Sequence, residues 1–185
     1  MKDSVLLLSS FIKNPKDTGA VAPSSRLLTR EITRNIDFRA SRCIVELGPG
    51  VGTFTMSILR NAMPHTKLFC FEVNKKFCVY IANKIRDERL TIINAGAEEL
   101  SLHLKKLKVE KADCIVSGLP FLNFPYSKKR KILNEAKNCL NDNGKFILFQ
   151  YTNGLSRLLE LYFSKVKKKF VAFNLPPSFV YICEK

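Results

Sequence analysis

In the stretch Val45-Glu46-Leu47-Gly48-Pro49-Gly50-Val51-Gly52-Thr53, glycines stand at every second position, directly after an apolar run and directly before a segment of helical character. The order strand, glycine turn, helix N-terminus offers an open backbone at the carboxyl end of a strand, where open α/β sheets bind their ligands. The spacing is G-x-G-x-G. It differs from the G-x-G-x-x-G of dinucleotide binders, whose pyrophosphate rests on the helix N-terminus.

Outward from this turn, short apolar runs alternate with longer amphipathic stretches from residue 42 onward, the pattern of parallel strands joined by crossover helices. Strands are predicted over 43–47, 68–71, 91–93, 114–117 and 146–150. One helix follows Thr53 and stops near Pro64, one capped by Asn74 runs to about Arg86, and one capped by Ser127 ends before Asn143-Gly144. Two last strands, 170–173 and 179–182, are separated by Asn174-Leu175-Pro176-Pro177-Ser178, too short for a crossover helix, and so pair antiparallel. Ahead of the first strand, residues 24–39 read as a helix capped by Ser24 or Ser25. Its apolar stripe is Leu28, Ile32 and Ile36, and Arg26, Arg30 and Arg34 form an opposed row. The run Val5-Leu6-Leu7-Leu8 with Phe11 and Ile12 suits a short amphipathic helix that either packs on the domain or lies at a membrane interface. The expected organisation is a single domain over 1–185, with a helical membrane- or substrate-facing extension at 1–40 and a core at 41–185.

The 185 residues are 46% hydrophobic and 25% charged, an ordinary globular balance that excludes wholesale disorder, collagen-like structure and coiled coil. No stretch reaches the ~18 apolar residues of a membrane span. The net charge is +15, with +10 of it in residues 101–185. A surplus of this size calls for a polyanionic neighbour, nucleic acid or anionic lipid, and charge alone does not choose between them. The densest basic runs are Lys128-Lys129-Arg130-Lys131 and Lys165 to Lys169. Six cysteines contain no C-x-x-C pair, so no metal site is readable and the thiols read as reduced apolar fillers of a cytosolic protein. His65 and His103 sit among polar neighbours and read as surface groups.

An acid precedes the glycine turn at Glu46, and Glu72 ends the next apolar run 20 residues beyond Gly52. A carboxylate at the second place can accept hydrogen bonds from both hydroxyls of a ribose, while Glu46 can help hold a cationic amino group. With the flanking strand and the closing antiparallel pair, this combination resembles the class I S-adenosylmethionine-dependent methyltransferases. The resemblance implies an α/β, Rossmann-like, mostly parallel seven-stranded sheet with an antiparallel last strand and helices on both faces. It also implies S-adenosylmethionine as cofactor, with S-adenosylhomocysteine as product, lying over Gly48, Pro49, Gly50 and Gly52 beside Glu72 and Val73. The adenine would be held after the third strand, by Gly96 and Ala97 of Asn94-Ala95-Gly96-Ala97-Glu98-Glu99. Gly96 stands where the family commonly has an Asp that meets the adenine amino group.

The fourth strand ends in Val116-Ser117-Gly118-Leu119-Pro120-Phe121, the place from which this superfamily reaches its acceptor. Adenine-N6 methylases, the ribosomal RNA adenine dimethylases among them, carry there an Asn or Asp, two residues of which the second is Pro, and an aromatic. Here Gly118 takes the first place and Phe121 the last. A closer likeness joins Ser117-Gly118-Leu119-Pro120, Phe124-Pro125, Phe11-Ile12-Lys13-Asn14-Pro15 with Gly19-Ala20-Val21-Ala22-Pro23-Ser24-Ser25, and Asn174-Leu175-Pro176-Pro177. Together these are similar to the compact bacterial phospholipid N-methyltransferases, from about residue 11 to 182. That likeness implies methyl transfer to the amine of phosphatidylethanolamine by a cytoplasmic enzyme on the inner face of the cell membrane. Ser117 and Gly118 would border the cofactor, and Leu119, Pro120 and Tyr151 the acceptor. Tyr151 follows Gln150 where the family often has Thr-Tyr-Gly. Tyr151, Phe121 and Phe124 are either an aromatic wall for the ammonium or packing residues. An RNA adenine methyltransferase, and a cofactor-binding protein that docks on membranes without turnover, stand as the alternatives.

Overall fold

The computed structural model describes residues 26–174 and 176–185. The expected helix around residues 5–12, the capping serines Ser24 and Ser25, the Phe11–Pro15 and Gly19–Ser25 segments and Leu175 lie outside the described residues.

Strands β1 (Cys43–Leu47), β2 (Lys67–Phe71), β3 (Leu90–Ile93), β4 (Ala112–Ser117), β5 (Leu140–Gln150), β6 (Lys165–Val171) and β7 (Ser178–Glu184) form one sheet in the order β3-β2-β1-β4-β5-β7-β6. The first five are parallel, and β7 runs antiparallel to both β5 and β6. Chain order reverses between β1 and β4, which opens a crevice at their carboxyl ends. Helices α1 (Arg26–Thr33), α2 (Thr53–Asn61), α3 (Lys75–Lys84), α4 (Leu100–Lys106), α5 (Tyr126–Cys139) and α6 (Ser156–Glu160) cover the two faces.

Alternation along each strand sorts the core into two layers. Val45, Leu47, Phe69, Phe71, Ile115, Phe146 and Leu148 meet Leu100 and Leu104 of α4 and Ile132, Leu133 and Ala136 of α5. Ile44, Leu68, Cys70, Val116, Ile147 and Val180 meet Phe54 and Ile58 of α2 and Leu28, Ile32 and Ile36. The apolar stripe expected on the first helix is therefore buried, although α1 ends at Thr33, earlier than its predicted limit.

Four local readings are corrected. α5 starts at Tyr126, with Pro125 as its N-cap at φ −57, because the pyrrolidine ring already holds a helical φ, so Ser127 falls inside the first turn. The same helix ends at Cys139 and β5 begins at once at Leu140, its early residues joined to β4 through a register shift between Ala112 and Cys114. β6 lies at Lys165–Val171 and not at 170–173, so the lysine run is strand. Its period of two splits the run: Lys165 and Lys167 reach Glu184, and Lys169 reaches Glu31 at 3.4 Å. The arginine row is also interrupted in charge, since Glu31 pairs with Arg34 at 2.6 Å.

Candidate functional site

The glycine turn leaves β1 at the crevice. Gly48 N–H donates to the Phe71 carbonyl at 2.9 Å, and the Gly118 N–H donates to the Leu47 carbonyl at 2.9 Å, so the turns after β1 and β4 are stitched side by side. Gly48, Gly50 and Gly52 have φ of 73, 55 and 81°. At Gly50 the left-handed backbone points its missing side chain into open space, with no atom within 4 Å of where a Cβ would stand. That is a cradle a side chain would fill. Pro49 is buried beneath it, and Gly52 caps α2.

Glu72, at the end of β2, is 7% exposed. Its Oε2 accepts from Gly50 N–H at 3.2 Å and its Oε1 from Asn74 N–H at 2.8 Å, which ties the glycine turn to the start of α3. Each carboxylate oxygen keeps a second lone pair for a ligand hydroxyl. Burial raises the carboxyl's pKa against the lowering effect of these backbone donors. Val73 follows it into solvent, 69% exposed. Asn94 was not singled out in the sequence, yet its Nδ2 donates to the carbonyls of Glu72 (2.8 Å) and Val73 (3.0 Å) and fixes this segment.

Glu46, the second-last residue of β1, points to the α2 face and is fully buried under the turn. Its Oε2 accepts from the Thr55 hydroxyl at 2.6 Å and the Cys70 thiol at 3.4 Å, while Oε1 has no partner. Burial pushes its carboxyl up to about 7. Glu46 thus anchors β1 to α2 from beneath.

After β3, Gly96 takes an ordinary φ of −77°, and a Cβ there would lie 2.8 Å from Glu98 Oε2. The Glu98 carboxylate thus folds back into the place a side chain at 96 would take. Burial pushes its pKa up, but the Lys128 ammonium at 2.8 Å, its own backbone N–H and Lys131 together bring it below the usual value. Ala97 is buried in the layer below.

On the other lip, Ser117 is fully buried and its Oγ accepts from Leu119 N–H at 3.2 Å. The Leu119 side chain lies over Gly48, its Cδ2 2.8 Å from a Cβ built there, and half-buried Pro120 follows. Gln150, missed in the sequence because nothing marks the last residue of a strand as functional, donates from Nε2 to the Leu119 carbonyl at 3.0 Å. A Cβ on Gly118 would stand 2.8 Å from the Gly48 carbonyl oxygen. A side chain at this position would require one of the two turns to move.

The three aromatics do not form one wall. Phe121 is fully buried between Phe124 and Phe146, with ring centroids 6.2 Å from each. Phe124 is partly buried, with Lys128 Nζ 4.9 Å from its ring. Tyr151 stands edge-on to Phe149 at 5.6 Å, and burial raises its phenol's pKa. All six cysteines are unpaired, four of them buried and Cys43 and Cys78 partly so. Among the described residues no group of His, Cys, Asp and Glu is placed to hold a metal.

The sequence pattern of the family described as "Methyltransferase small domain" matches residues 17–172. The chain belongs to this family. It is an S-adenosylmethionine-dependent methyltransferase with the Rossmann-like sheet described above. An ornithine lipid N-methyltransferase of Singulisphaera acidiphila is 30% identical over 185 residues, covering 99% of this methyltransferase and 96% of the relative. The 1,6-didemethyltoxoflavin-N1-methyltransferase of Burkholderia thailandensis, solved with S-adenosylhomocysteine, superposes with a TM-score of 0.72 at 14% identity, covering 100% of this chain and 89% of that one. The 16S rRNA N2 G1207 methyltransferase of T. thermophilus, solved with AdoMet and guanosine, gives 0.66 at 20% identity, covering 90% of this chain and 44% of that one. The methyltransferase's own residues fit the cofactor: open space over Gly50, free acceptor capacity on Glu72 and an acid beside Gly96.

Proposed function

We propose that this methyltransferase transfers methyl groups to the amine of a membrane lipid of the phosphatidylethanolamine or ornithine-lipid kind. The observation that carries the reading is the end-to-end match to a lipid N-methyltransferase at 30% identity. The Gly118 contact supports it from the other side. An adenine amine needs an acceptor side chain at the start of this motif, and the Gly48 carbonyl leaves no room for one. Likeness to an RNA-modifying enzyme at 20% identity argues for the fold alone.

In this reading, S-adenosylmethionine supplies a methyl group on a cationic sulfur. Gly48, Pro49, Gly50 and Gly52 line its seat, Glu72 accepts from its ribose with Val73 alongside, and Gly96 and Ala97 border the adenine. Ser117 and Gly118 close the seat toward the acceptor, and Leu119, Pro120 and Tyr151 line the acceptor side. A free alkyl ammonium has a pKa of roughly 10, so its lone pair is blocked at neutral pH, and burial against apolar groups favours the neutral amine. The half-buried Leu119 and Pro120 supply such an environment. No general base is assigned, and catalysis rests on alignment and desolvation. No helix among the described residues is long and apolar enough to cross a membrane. The acceptor is then met from the surface of the inner leaflet, by a peripheral enzyme on the cytoplasmic side.

The test is transfer of labelled methyl from S-adenosylmethionine with phosphatidylethanolamine, ornithine lipid and ribosomal RNA offered in parallel. Label in either lipid is expected. Label in RNA alone, or cofactor binding without label in any of the three, overturns the reading.

A further inference from the structure

Because β6 runs antiparallel to β7 and β7 antiparallel to β5, the β6–β7 turn stands at the same carboxyl edge as the crevice. Along that edge, on the α4 and α5 side, a continuous strip of exposed side chains starts two residues past Pro120. Leu122 lies 3.4 Å from a Cβ built on Gly154. The neighbouring Asn153 Oδ1 accepts from Lys168 Nζ at 2.7 Å, and that ammonium sits 5.7 Å from the Phe179 ring. Phe179 packs on Phe170 at 5.0 Å. Phe170 is still 59% exposed and Phe173, in the turn itself, 89%. Basic groups frame the strip: Lys129 Nζ donates to the Leu122 carbonyl at 3.4 Å, and Arg130 stands 6.0 Å from the exposed Tyr126 ring.

We infer that this strip is the face on which the protein meets an anionic lipid bilayer, with Phe170 and Phe173 entering the headgroup boundary and Lys129, Arg130 and Lys168 lying against lipid phosphates. A strip in which exposed Leu122, Phe170 and Phe173 are interleaved with Asn153 and Lys168, on a protein of net charge +15, matches an anionic interface in both hydrophobicity and sign. Phe173 stands almost entirely clear of the protein, so it suits insertion between headgroups. The position matters as much as the composition. The strip adjoins the segments that carry Pro120 and Tyr151, so a lipid amine enters the acceptor side without the lipid leaving the bilayer.

The inference rests on the lipid reading above, but its test does not require turnover. Co-sedimentation is measured with phosphatidylcholine vesicles containing phosphatidylglycerol. The F170S/F173S double variant is expected to bind at least about tenfold more weakly, since two exposed rings lose their transfer to the interface. The K129E/K168E variant is expected to lose affinity and salt dependence together. The Phe variant should keep its melting temperature, its S-adenosylhomocysteine affinity and methyl transfer to detergent-dispersed aminolipid, while losing transfer to vesicles. Unchanged vesicle binding overturns the inference. So does a fall in melting temperature of the size a core phenylalanine gives, which assigns the strip to a covering segment of the chain outside the described residues. Loss of self-association, or of RNA binding, in place of vesicle binding also overturns it. If the native protein methylates no lipid but binds vesicles through Phe170 and Phe173, the acceptor reading fails and the surface stands.

Discussion

Two turns face each other across the β1–β4 crevice, and they are held by different chemistry. The Gly48–Gly52 turn is braced by carboxylates: Glu72 takes the Gly50 N–H from the side, and Glu46 grips Thr55 from below. The Ser117–Pro120 turn has no charged brace, and relies on Gln150 at the Leu119 carbonyl, on the Ser117 hydroxyl, and on contact with its neighbour. Charged braces raise the stakes of burial, because each carboxylate gives up hydration and is left with few partners. Neutral braces ask only for fit. On the proposed assignment, the donor side is held by carboxylates and the acceptor side by neutral hydrogen bonds and packing.

The largest test of that contrast is Glu46→Gln. In the unfolded chain this carboxyl titrates near 4.5, and in the fold only at about 7. The folded state therefore holds an extra proton in between, and stability falls as pH rises from 4.5 through 7, by up to about 3 kcal/mol. Denaturant unfolding across that range should show a flattened pH slope in the Gln variant. An unaltered slope would mean that burial does not hold the Glu46 carboxyl protonated across that range. Next comes Gly118→Asn, which drives a side chain into the Gly48 carbonyl. Overpacking of this kind costs about 1–3 kcal/mol, read as a lower unfolding midpoint with weakened cofactor binding and no gain of RNA methylation. Full stability would show that the acceptor turn yields easily.

Gly50→Ala sharpens the comparison at the donor turn. The new methyl meets no protein atom but occupies the ligand's space at a φ of 55°. Calorimetry with S-adenosylhomocysteine should find affinity lower by about tenfold, or about 1.4 kcal/mol, besides backbone strain of ~1 kcal/mol. Retained affinity would remove this turn from the cofactor seat. The smallest effect is expected for Gln150→Ala, which removes a neutral hydrogen bond worth about 1 kcal/mol. Cofactor affinity should hold while methyl transfer falls, because the loosened carbonyl belongs to the acceptor side. Equal losses in both would erase the distinction between the turns.

The donor half was largely legible in the sequence. Glycines at every second position and Glu72 at the end of the next apolar run are local patterns, and their spacing along the chain translates directly into adjacent strand ends. Of the acceptor half the Ser117–Pro120 turn was named from its motif, but what holds it was not. Gln150 looks like any strand terminus until the pairing of β4 with β5 brings it beside Leu119, and on the donor side Asn94 looks like any loop residue until it meets the Glu72 carbonyl. That Glu46 is fully buried on the α2 face, with the Thr55 hydroxyl and the Cys70 thiol on one oxygen and none on the other, emerges only once β1 packs on α2. The lysines of β6 read as one basic run before the pleat sent three of them to Glu184 and Glu31.

By itself, the chain's order of apolar runs, glycines and acids determined the sheet, its antiparallel close and the glycine turn at the end of β1, because periodicity and turn chemistry act over a few neighbouring residues. How Glu46 is buried beneath the turn, how closely the Gly48 carbonyl approaches position 118, and where exposed phenylalanines gather along the carboxyl edge were decided only in three dimensions. Each depends on the distance between segments dozens of residues apart, and that distance is set by packing across the sheet.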